Sequence, residues 1–175
     1  MTAPRVWIGC LACYNAGRLV GHWCDAAGAD AVTLADVHRS AGGARRDCEE
    51  LWVMDHERLP VREEMDPTTA ARWGALHEEV GEDRWDGFCA WVRSGAYEED
   101  GDGLPAAGAF EDAYEGCWPS FEDYAYRLAD DVGLQHGWSE EARTYFSWER
   151  WVRDLAFDYV VEDAAGGDVH VFRNG

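Results

Sequence analysis

The order of apolar and polar positions predicts strands near both ends of the chain and helices between them. Residues 5–12, with the sequence RVWIGCLA, form an apolar and partly β-branched run that is typical of a buried strand. Residues 18–24 continue in an extended pattern, and residues 50–55, ELWVMD, predict another strand. Residues 26–48 are rich in Ala, Gly and Arg and predict a loop with a short helix. The first third of the chain therefore predicts a small β-rich unit.

The apolar period changes to that of a helix from Asp66 onward. Asp66 is a suitable N-cap and Pro67 suits the first helical position, so we expect a helix that runs to about Val80. A second helix is predicted over residues 82–94, where apolar side chains recur at positions i, i+3, i+4 and i+7. Residues 95–108 are rich in Gly, Pro and acidic residues and predict a linker.

The C-terminal third predicts three capped helices and a hairpin. Ser120, Ser139 and Ser147 each stand before a helical pattern in the position of an N-cap. The runs YVVED and DVHVF flank a Gly-containing loop and predict a β-hairpin. We therefore predict an α+β fold with three small domains: a β-rich N-terminal domain over residues 1–61, a helical domain over 62–104, and an α/β C-terminal domain over 105–175 that ends in the hairpin.

Acidic residues dominate the charge, and they are unevenly distributed. The chain of 175 residues has 35 Asp and Glu against 15 basic residues, all of them Arg, so its net charge is −20. Residues 1–60 carry a net charge of only −2, residues 61–175 carry −18, and the densest stretch, residues 78–131, carries −13. Such a surface repels nucleic acids and anionic membranes, which argues against both as direct partners. A halophilic protein would spread its acids over the whole surface, and the near-neutral first third counts against that explanation but leaves it open.

The rest of the sequence indicates whether the chain is folded and in which cellular compartment we expect it. Ten Trp, seven Tyr and six Phe supply far more apolar area than a disordered acidic chain carries. The N-terminus shows no basic and apolar leader, and no apolar run approaches the roughly 18 residues of a membrane-spanning helix. We therefore expect a folded cytoplasmic protein whose six cysteines are reduced thiols.

One group of cysteines raises the question of a metal. Cys10 and Cys13 form a CxxC pair, and His22 and Cys24 follow closely. Four soft ligands in a short span would suit zinc. No second CxxC follows, however, and residues three apart in a strand point to opposite faces of the sheet. We therefore interpret these cysteines as small buried apolar side chains, and we predict no metal and no cofactor.

Nothing in the sequence selects a catalytic site. The six histidines form no HExxH or HxH pattern, and the GxSxG, Walker and GxGxxG motifs are absent. Adjacent carboxylates such as Glu78 and Glu79 diverge by about 100° on a helix, which is the arrangement of solvated rather than cooperating groups. We predict that the protein is not an enzyme and acts by binding.

Four stretches of the chain carry motifs that point to one family. Near the N-terminus, the pattern YNxGxLxGxW is met by Tyr14, Asn15, Gly17, Leu19, Gly21 and Trp23. The stretch ELWVMDHERLP is similar to EEW…DYEGFP, with Asp55 in place but His56 and Arg58 where Tyr and Gly are usual. Residues 110–134 and 142–173 are similar to an acidic motif and to a C-terminal motif. Together these motifs resemble the ArdA antirestriction family.

The resemblance implies an architecture and a function. Members of the family are elongated and curved, consist of three small domains, dimerise through the C-terminal domain and are carried on mobile genetic elements. They mimic the charge and shape of duplex DNA and occupy the DNA-binding groove of type I restriction-modification enzymes, without catalysis or a cofactor. We therefore expect a homodimer in the cytoplasm of a bacterial host that competitively inhibits such an enzyme at its methyltransferase core. The alternative is an acidic protein that binds a basic partner without mimicking DNA.

The predicted partner-binding residues are the acidic side chains of the densest acidic stretch. A mimic spreads its binding over many weak contacts, so the prediction concerns the whole set rather than a single residue. The set comprises Glu78, Glu79, Glu82, Asp83, Asp86, Glu98, Glu99, Asp100, Asp102, Glu111, Asp112, Glu115, Glu122, Asp123, Asp130 and Asp131.

Overall fold

The computed structural model describes residues 3–44, 46–97, 99, 101 and 103–175. It mixes helices with two small antiparallel sheets, which confirms the predicted α+β class. The chain divides into two compact units, Met1–Trp85 and Asp86–Gly175. The finer division into three domains, at residues 61 and 104, stays a prediction.

The first unit is a three-stranded sheet with one long helix. Its strands lie in the order β2 (Gly21–Asp25), β1 (Arg5–Cys10) and β3 (Leu51–Glu57), and both strand pairs are antiparallel. Short 3-10 turns at Ala26–Ala31 and Arg39–Ala41 flank the second helix. The elements are β1 (Arg5–Cys10), α1 (Leu11–Asn15), β2 (Gly21–Asp25), α2 (Leu34–Val37), β3 (Leu51–Glu57) and α3 (Pro67–Val80).

Two glycines make room for a tryptophan on this sheet. Gly9 of β1 and Gly21 of β2 are register partners, and the indole of Trp7 lies over both. A Cβ atom at either glycine would lie 2.5 Å from a ring carbon of Trp7. The glycines therefore leave the space that the ring fills, which gives a physical reason for the second glycine of the YNxGxLxGxW motif.

Helix α3 begins where the sequence predicts and packs closely on the first 3-10 turn. The Asp66 side chain accepts hydrogen bonds from the backbone N–H groups of Thr68 and Thr69, at 2.8 and 3.0 Å. Gly74 faces the backbone of Ala27, where a Cβ atom would lie 2.1 Å from the Ala27 nitrogen. Only a glycine lets the helix approach the turn this closely.

The second unit is a three-stranded sheet with several short helices. Its strands lie in the order β4 (Tyr114–Trp118), β6 (Val169–Arg173) and β5 (Tyr159–Asp163), again antiparallel throughout. The hydroxyls of Ser120, Ser139 and Ser147 each accept the backbone N–H three residues further on, which confirms the three predicted caps. Its elements are α4 (Trp85–Ser94, which begins at the end of the first unit), α5 (Ala107–Ala113), β4 (Tyr114–Trp118), α6 (Phe121–Asp131), α7 (Glu140–Tyr145), α8 (Trp148–Leu155), β5 (Tyr159–Asp163) and β6 (Val169–Arg173).

Aromatic rings form the centre of the second unit. Phe88, Phe110 and Phe172 are fully buried. Phe110 meets Phe88 edge to face with ring centroids 5.3 Å apart, and it stacks on Tyr114 at 4.8 Å. The packing joins α4, α5 and the strands β4 and β6, and large rings of this kind dominate the burial of a small core.

Three sequence predictions differ from the structure. Strand β1 ends at Cys10 rather than at residue 12, because the chain turns there into α1. The predicted linker 95–108 overlaps the start of α5, and the prediction lacks both α5 and β4. Strand β4 follows α5 directly and contains a bulge at Gly116, whose φ of 111° is a conformation that glycine adopts freely.

Candidate functional site

The predicted partner-binding acids of the first unit lie at the end of α3 and in the turn that follows. Glu78 and Glu79 belong to the last turn of the helix, and their side chains are exposed. Asp83 is exposed in the turn after the helix, whereas Glu82 beside it is half-buried. Three of these four carboxylates are therefore open to a partner.

The acids of the second unit are spread over α4, α5, β4 and α6. Glu99 is exposed between α4 and α5, whereas Glu98, Asp100 and Asp102 lie outside the described residues. Except for Glu115, which is half-buried, the remaining residues are exposed. They are Asp86 on α4, Glu111 and Asp112 on α5, Glu115 on β4, and Glu122, Asp123, Asp130 and Asp131 on α6.

Several of these acids stand where a helix disfavours negative charge. Glu78 and Glu79 end α3, and Asp130 and Asp131 end α6. The carbonyl groups at a helix C-terminus give it a partial negative charge, so carboxylates there are unfavourable for the helix. The last turn of α6 contains no basic residue, and of these four acids Asp131 has an ion pair with Arg127 one turn earlier. Helix stability therefore does not account for the position of Glu78, Glu79 and Asp130.

Glu82 is engaged within the first unit. Its carboxylate lies 3.1 Å from the guanidinium of Arg58 and 2.8 Å from Nε2 of His77. The hydrogen bond with His77, followed by that with Arg58, holds the pKa of Glu82 below its ordinary value. This carboxylate is ionised and partnered, so it is less available to another protein than its neighbours are.

Other acids of the set also have partners within the second unit. Glu115 accepts a hydrogen bond from the guanidinium of Arg173 on β6, and Asp131 lies 3.1 Å from Arg127 one helical turn earlier. The Tyr126 hydroxyl donates to Glu122, which raises the pKa of that tyrosine. Of these carboxylates, Glu122 and Asp131 remain exposed and keep their charge at the surface.

The structure assembles a group of metal-ligating side chains that the sequence prediction does not contain. Cys10, Cys13, His38 and Cys48 are all buried, and their ligand atoms lie within 4.8 Å of one another. The expectation that Cys10 and Cys13 point to opposite faces is wrong, because the strand ends at Cys10 and Cys13 lies in α1. His38 and Cys48 are far from the CxxC pair in sequence, and no spacing rule singles them out.

Hydrogen bonds link the members of this group. Sγ of Cys13 lies 3.5 Å from Nε2 of His38 and 3.8 Å from Sγ of Cys48, and the Arg18 guanidinium donates to Cys13 at 3.6 Å. His38, then Arg18, lower the pKa of the Cys13 thiol, and the same contact with Cys13 raises the pKa of His38. The surroundings thus favour a thiolate at Cys13.

Apolar side chains are also displayed on the second unit. Neither α7 nor α8 contains a buried residue, although α8 is strongly amphipathic. Tyr145 and Phe157 are 81% and 79% exposed, and Val132 is 64% exposed. Large exposed apolar side chains of this kind are typical of surfaces that bind another protein.

No helix in the described ranges has both the length and the apolar character that a membrane span requires.

The fold and its acids define the class of the protein: it is a strongly acidic α+β protein that displays most of its described candidate carboxylates to solvent. A sequence model of the family described as antirestriction protein (ArdA) matches residues 6–169 of the chain. The chain therefore belongs to the ArdA antirestriction protein family. This is a family of antirestriction proteins rather than of enzymes, and membership implies an interaction with restriction-modification enzymes. No curated protein matches the chain.

Proposed function

We propose that the exposed carboxylates take the place of DNA phosphates in the DNA-binding groove of a type I restriction-modification enzyme. A groove that binds DNA is lined with Arg and Lys donors, and ionised carboxylates accept the same charge-assisted hydrogen bonds as phosphates. Occupation of the groove excludes DNA, so incoming DNA escapes both recognition and cleavage. This proposal refines the antirestriction function that family membership implies.

The position of the acids at helix ends is the observation that carries the proposal. Glu78, Glu79 and Asp130 are exposed at sites where negative charge is unfavourable for the helix that bears it. Charge that serves solubility alone could lie equally well at helix N-termini, where it stabilises. Binding of a cationic partner supplies a reason for charge at the opposite end.

The amount of charge is sufficient for mimicry of a recognition site. One chain carries a net charge of −20. Since duplex DNA carries about one charge per 1.7 Å, a pair of chains carries as many charges as about 68 Å of duplex, or about 20 base pairs. The alternative, an acidic protein that binds a basic partner elsewhere than in its DNA groove, would need no such match.

A homodimer is part of the same proposal. The resemblance assigns dimerisation to the C-terminal domain, and the exposed Tyr145 and Phe157 offer apolar surface in that part of the chain. Pairing of two copies would double the number of carboxylates that one enzyme meets.

A competition experiment tests the proposal. Purified protein is titrated into a complex of a type I methyltransferase with labelled duplex DNA that contains its recognition site. We expect displacement of the DNA, an apparent inhibition constant that rises linearly with the DNA concentration, and an affinity that falls steeply with salt. Binding to the enzyme without displacement of DNA would favour the alternative.

Two matched variants separate charge at the proposed surface from charge in general. The first replaces five exposed acids of the proposed surface by their amides, and the second replaces five exposed acids of the near-neutral first third. Both variants lose the same charge, and only the first is expected to inhibit poorly. The first set is Glu78, Glu79, Asp83, Asp112 and Asp130, and the second is Asp25, Asp30, Glu49, Glu50 and Glu57.

A further inference from the structure

We propose that Cys10, Cys13, His38 and Cys48 bind one zinc ion. The four side chains come from the end of β1, from α1, from the residue after α2 and from the loop before β3. All four are buried, and their ligand atoms lie within 4.8 Å of one another. Three thiolates and one imidazole form one of the common ligand sets of structural zinc sites.

Two distances from Cys13 match those between ligands of a tetrahedral ion. With Zn–S bonds of about 2.3 Å and Zn–N bonds of about 2.0–2.1 Å, tetrahedral geometry places two sulfurs about 3.8 Å apart and a sulfur and a nitrogen about 3.5 Å apart. The Sγ atoms of Cys13 and Cys48 are 3.8 Å apart, and Sγ of Cys13 is 3.5 Å from Nε2 of His38. These two separations fit ligands of a single ion, and the remaining ligand atoms lie within 4.8 Å of them.

The outer contacts of the group also suit a metal. Nδ1 of His38 lies 2.9 Å from the carbonyl oxygen of Leu34, which can only accept a hydrogen bond. Nδ1 therefore carries a proton, so in the neutral imidazole the lone pair is on Nε2, the atom that faces Cys13. Metal-bound histidines are commonly oriented in this way. Three thiolates and Zn²⁺ leave one negative charge, which the guanidinium of Arg18, at 3.6 Å from Cys13, offsets.

The segment that carries Cys48 is largely exposed in the part of the chain that the structure describes. Among the described residues of 39–50, every residue except Cys48 is exposed. Among these described residues, the turn Arg39–Ala41 is the single regular element, so few apolar contacts offset the conformational entropy that is lost when the segment folds. A metal bond at Cys48 would hold the segment to β1 and α1, because the free energy of metal binding contributes to folding.

This site is separate from the carboxylate surface, and its test does not need the restriction enzyme. The full chain is produced in medium with added zinc, and metal is measured by elemental mass spectrometry. We expect one zinc per chain in the unaltered protein and in the controls Cys24→Ser and Cys117→Ser, with loss of the zinc in Cys48→Ser. Cys24→Ser is an informative control, because Cys24 and His22 complete the alternative ligand set that the sequence offers for Cys10 and Cys13.

A second measurement covers the case in which Cys48→Ser does not fold. The unaltered chain is stripped of metal under reducing conditions and titrated with Co²⁺. The intense visible absorption of tetrahedral cobalt thiolate is expected to saturate at one equivalent and to disappear when zinc is added. Absence of this absorption, bound iron in place of zinc, zinc that persists in a folded Cys48→Ser variant, or a disulfide between Cys13 and Cys48 in freshly purified protein would each overturn the assignment.

Discussion

His77 and Glu82 form a hydrogen bond of 2.8 Å that joins the last turn of α3 to the turn that follows it. Arg58 contacts the other carboxylate oxygen of Glu82 at 3.1 Å. The backbone carbonyl of the same arginine accepts the indole N–H of Trp85 at 2.8 Å. Glu82 is thus part of the internal structure of the first unit, although the sequence places it in the same acidic stretch as Glu78 and Glu79.

We predict that Glu82→Gln destabilises the first unit at neutral pH and that the difference from the unaltered protein disappears in acid. Because the folded-state pKa of Glu82 is lowered, its contribution is present above the unfolded pKa of about 4.3 and is lost as the pH falls through the folded value. Denaturant unfolding at a series of pH values measures the difference. Asp83→Asn, an exposed neighbour, serves as the control, and equal pH profiles for the two variants would contradict the prediction.

Substitution of Glu78 and Glu79 is expected to increase the stability of the first unit, which is the opposite of the effect expected for Glu82→Gln. Replacement of both by Gln removes unfavourable charge from the end of α3, so stability should increase by about 0.3–1 kcal/mol per charge at low salt. Thermal unfolding measures the gain. Glu140→Gln with Glu141→Gln, in the first turn of α7, is the matched control, because acids there stabilise the helix. A loss of stability in the α3 variant would show that these acids serve the fold.

We predict that the inhibitory surface tolerates single changes. Any one Asp→Asn or Glu→Gln change among the exposed acids should leave inhibition nearly unchanged, because many weak contacts share the binding. Charge reversal at five or more clustered positions should abolish inhibition. Inhibition constants from the competition experiment measure both effects. Loss of inhibition in one neutral variant would contradict the distributed surface and would show that binding depends on a local hot spot.

Gly74→Ala is expected to destabilise the first unit by about 1–3 kcal/mol, because the new methyl group would overlap the backbone of Ala27. Denaturant unfolding is the measurement. Gly28→Ala is the control, since Gly28 lies in the same 3-10 turn as Ala27 and a Cβ atom there has no neighbour within 4 Å. Equal stabilities of the two variants would mean that α3 can shift away from the turn without a loss of stability.

Phe157→Ser is expected to shift the protein from dimer toward monomer. Phe157 is 79% exposed in the part of the chain to which the resemblance assigns dimerisation. Light scattering after gel filtration should give twice the chain mass of 19.6 kDa for the unaltered protein and a lower value for the variant. Leu19→Ser, at a residue 77% exposed in the first unit, is the control. A monomeric unaltered protein would contradict the proposed dimer.

Local signals account for the parts of the fold that the sequence predicts well. The caps at Asp66, Ser120, Ser139 and Ser147 depend on hydrogen bonds to residues two or three positions away, so a short window contains the whole interaction. The terminal hairpin is similarly local. Strand β4 has no such signal: its hydrogen bonds go to β6, more than 50 residues later, and no turn residues separate it from α5.

The candidate sites show the same division between local and distant information. Exposure of acids on the helices is visible from the sequence, since charged residues seldom lie in a core. The engagement of Glu82 with Arg58 and the meeting of Cys48 with Cys13 depend on tertiary contacts between residues 24 and 35 positions apart. The expectation that Cys10 and Cys13 point to opposite faces was wrong because the turn from β1 into α1 reorients Cys13. An alternating strand pattern does not contain that turn.

The ring of Trp7 over Gly9 and Gly21 has a consequence for how members of the family can diverge. A larger residue at either glycine would collide with the indole, and at Gly21 also with the carbonyl of Ile8. A smaller residue in place of Trp7 would leave the backbone at the two glycines without the ring that packs on it. The three positions are therefore expected to covary across homologues, with substitution at one accompanied by compensating substitution at another.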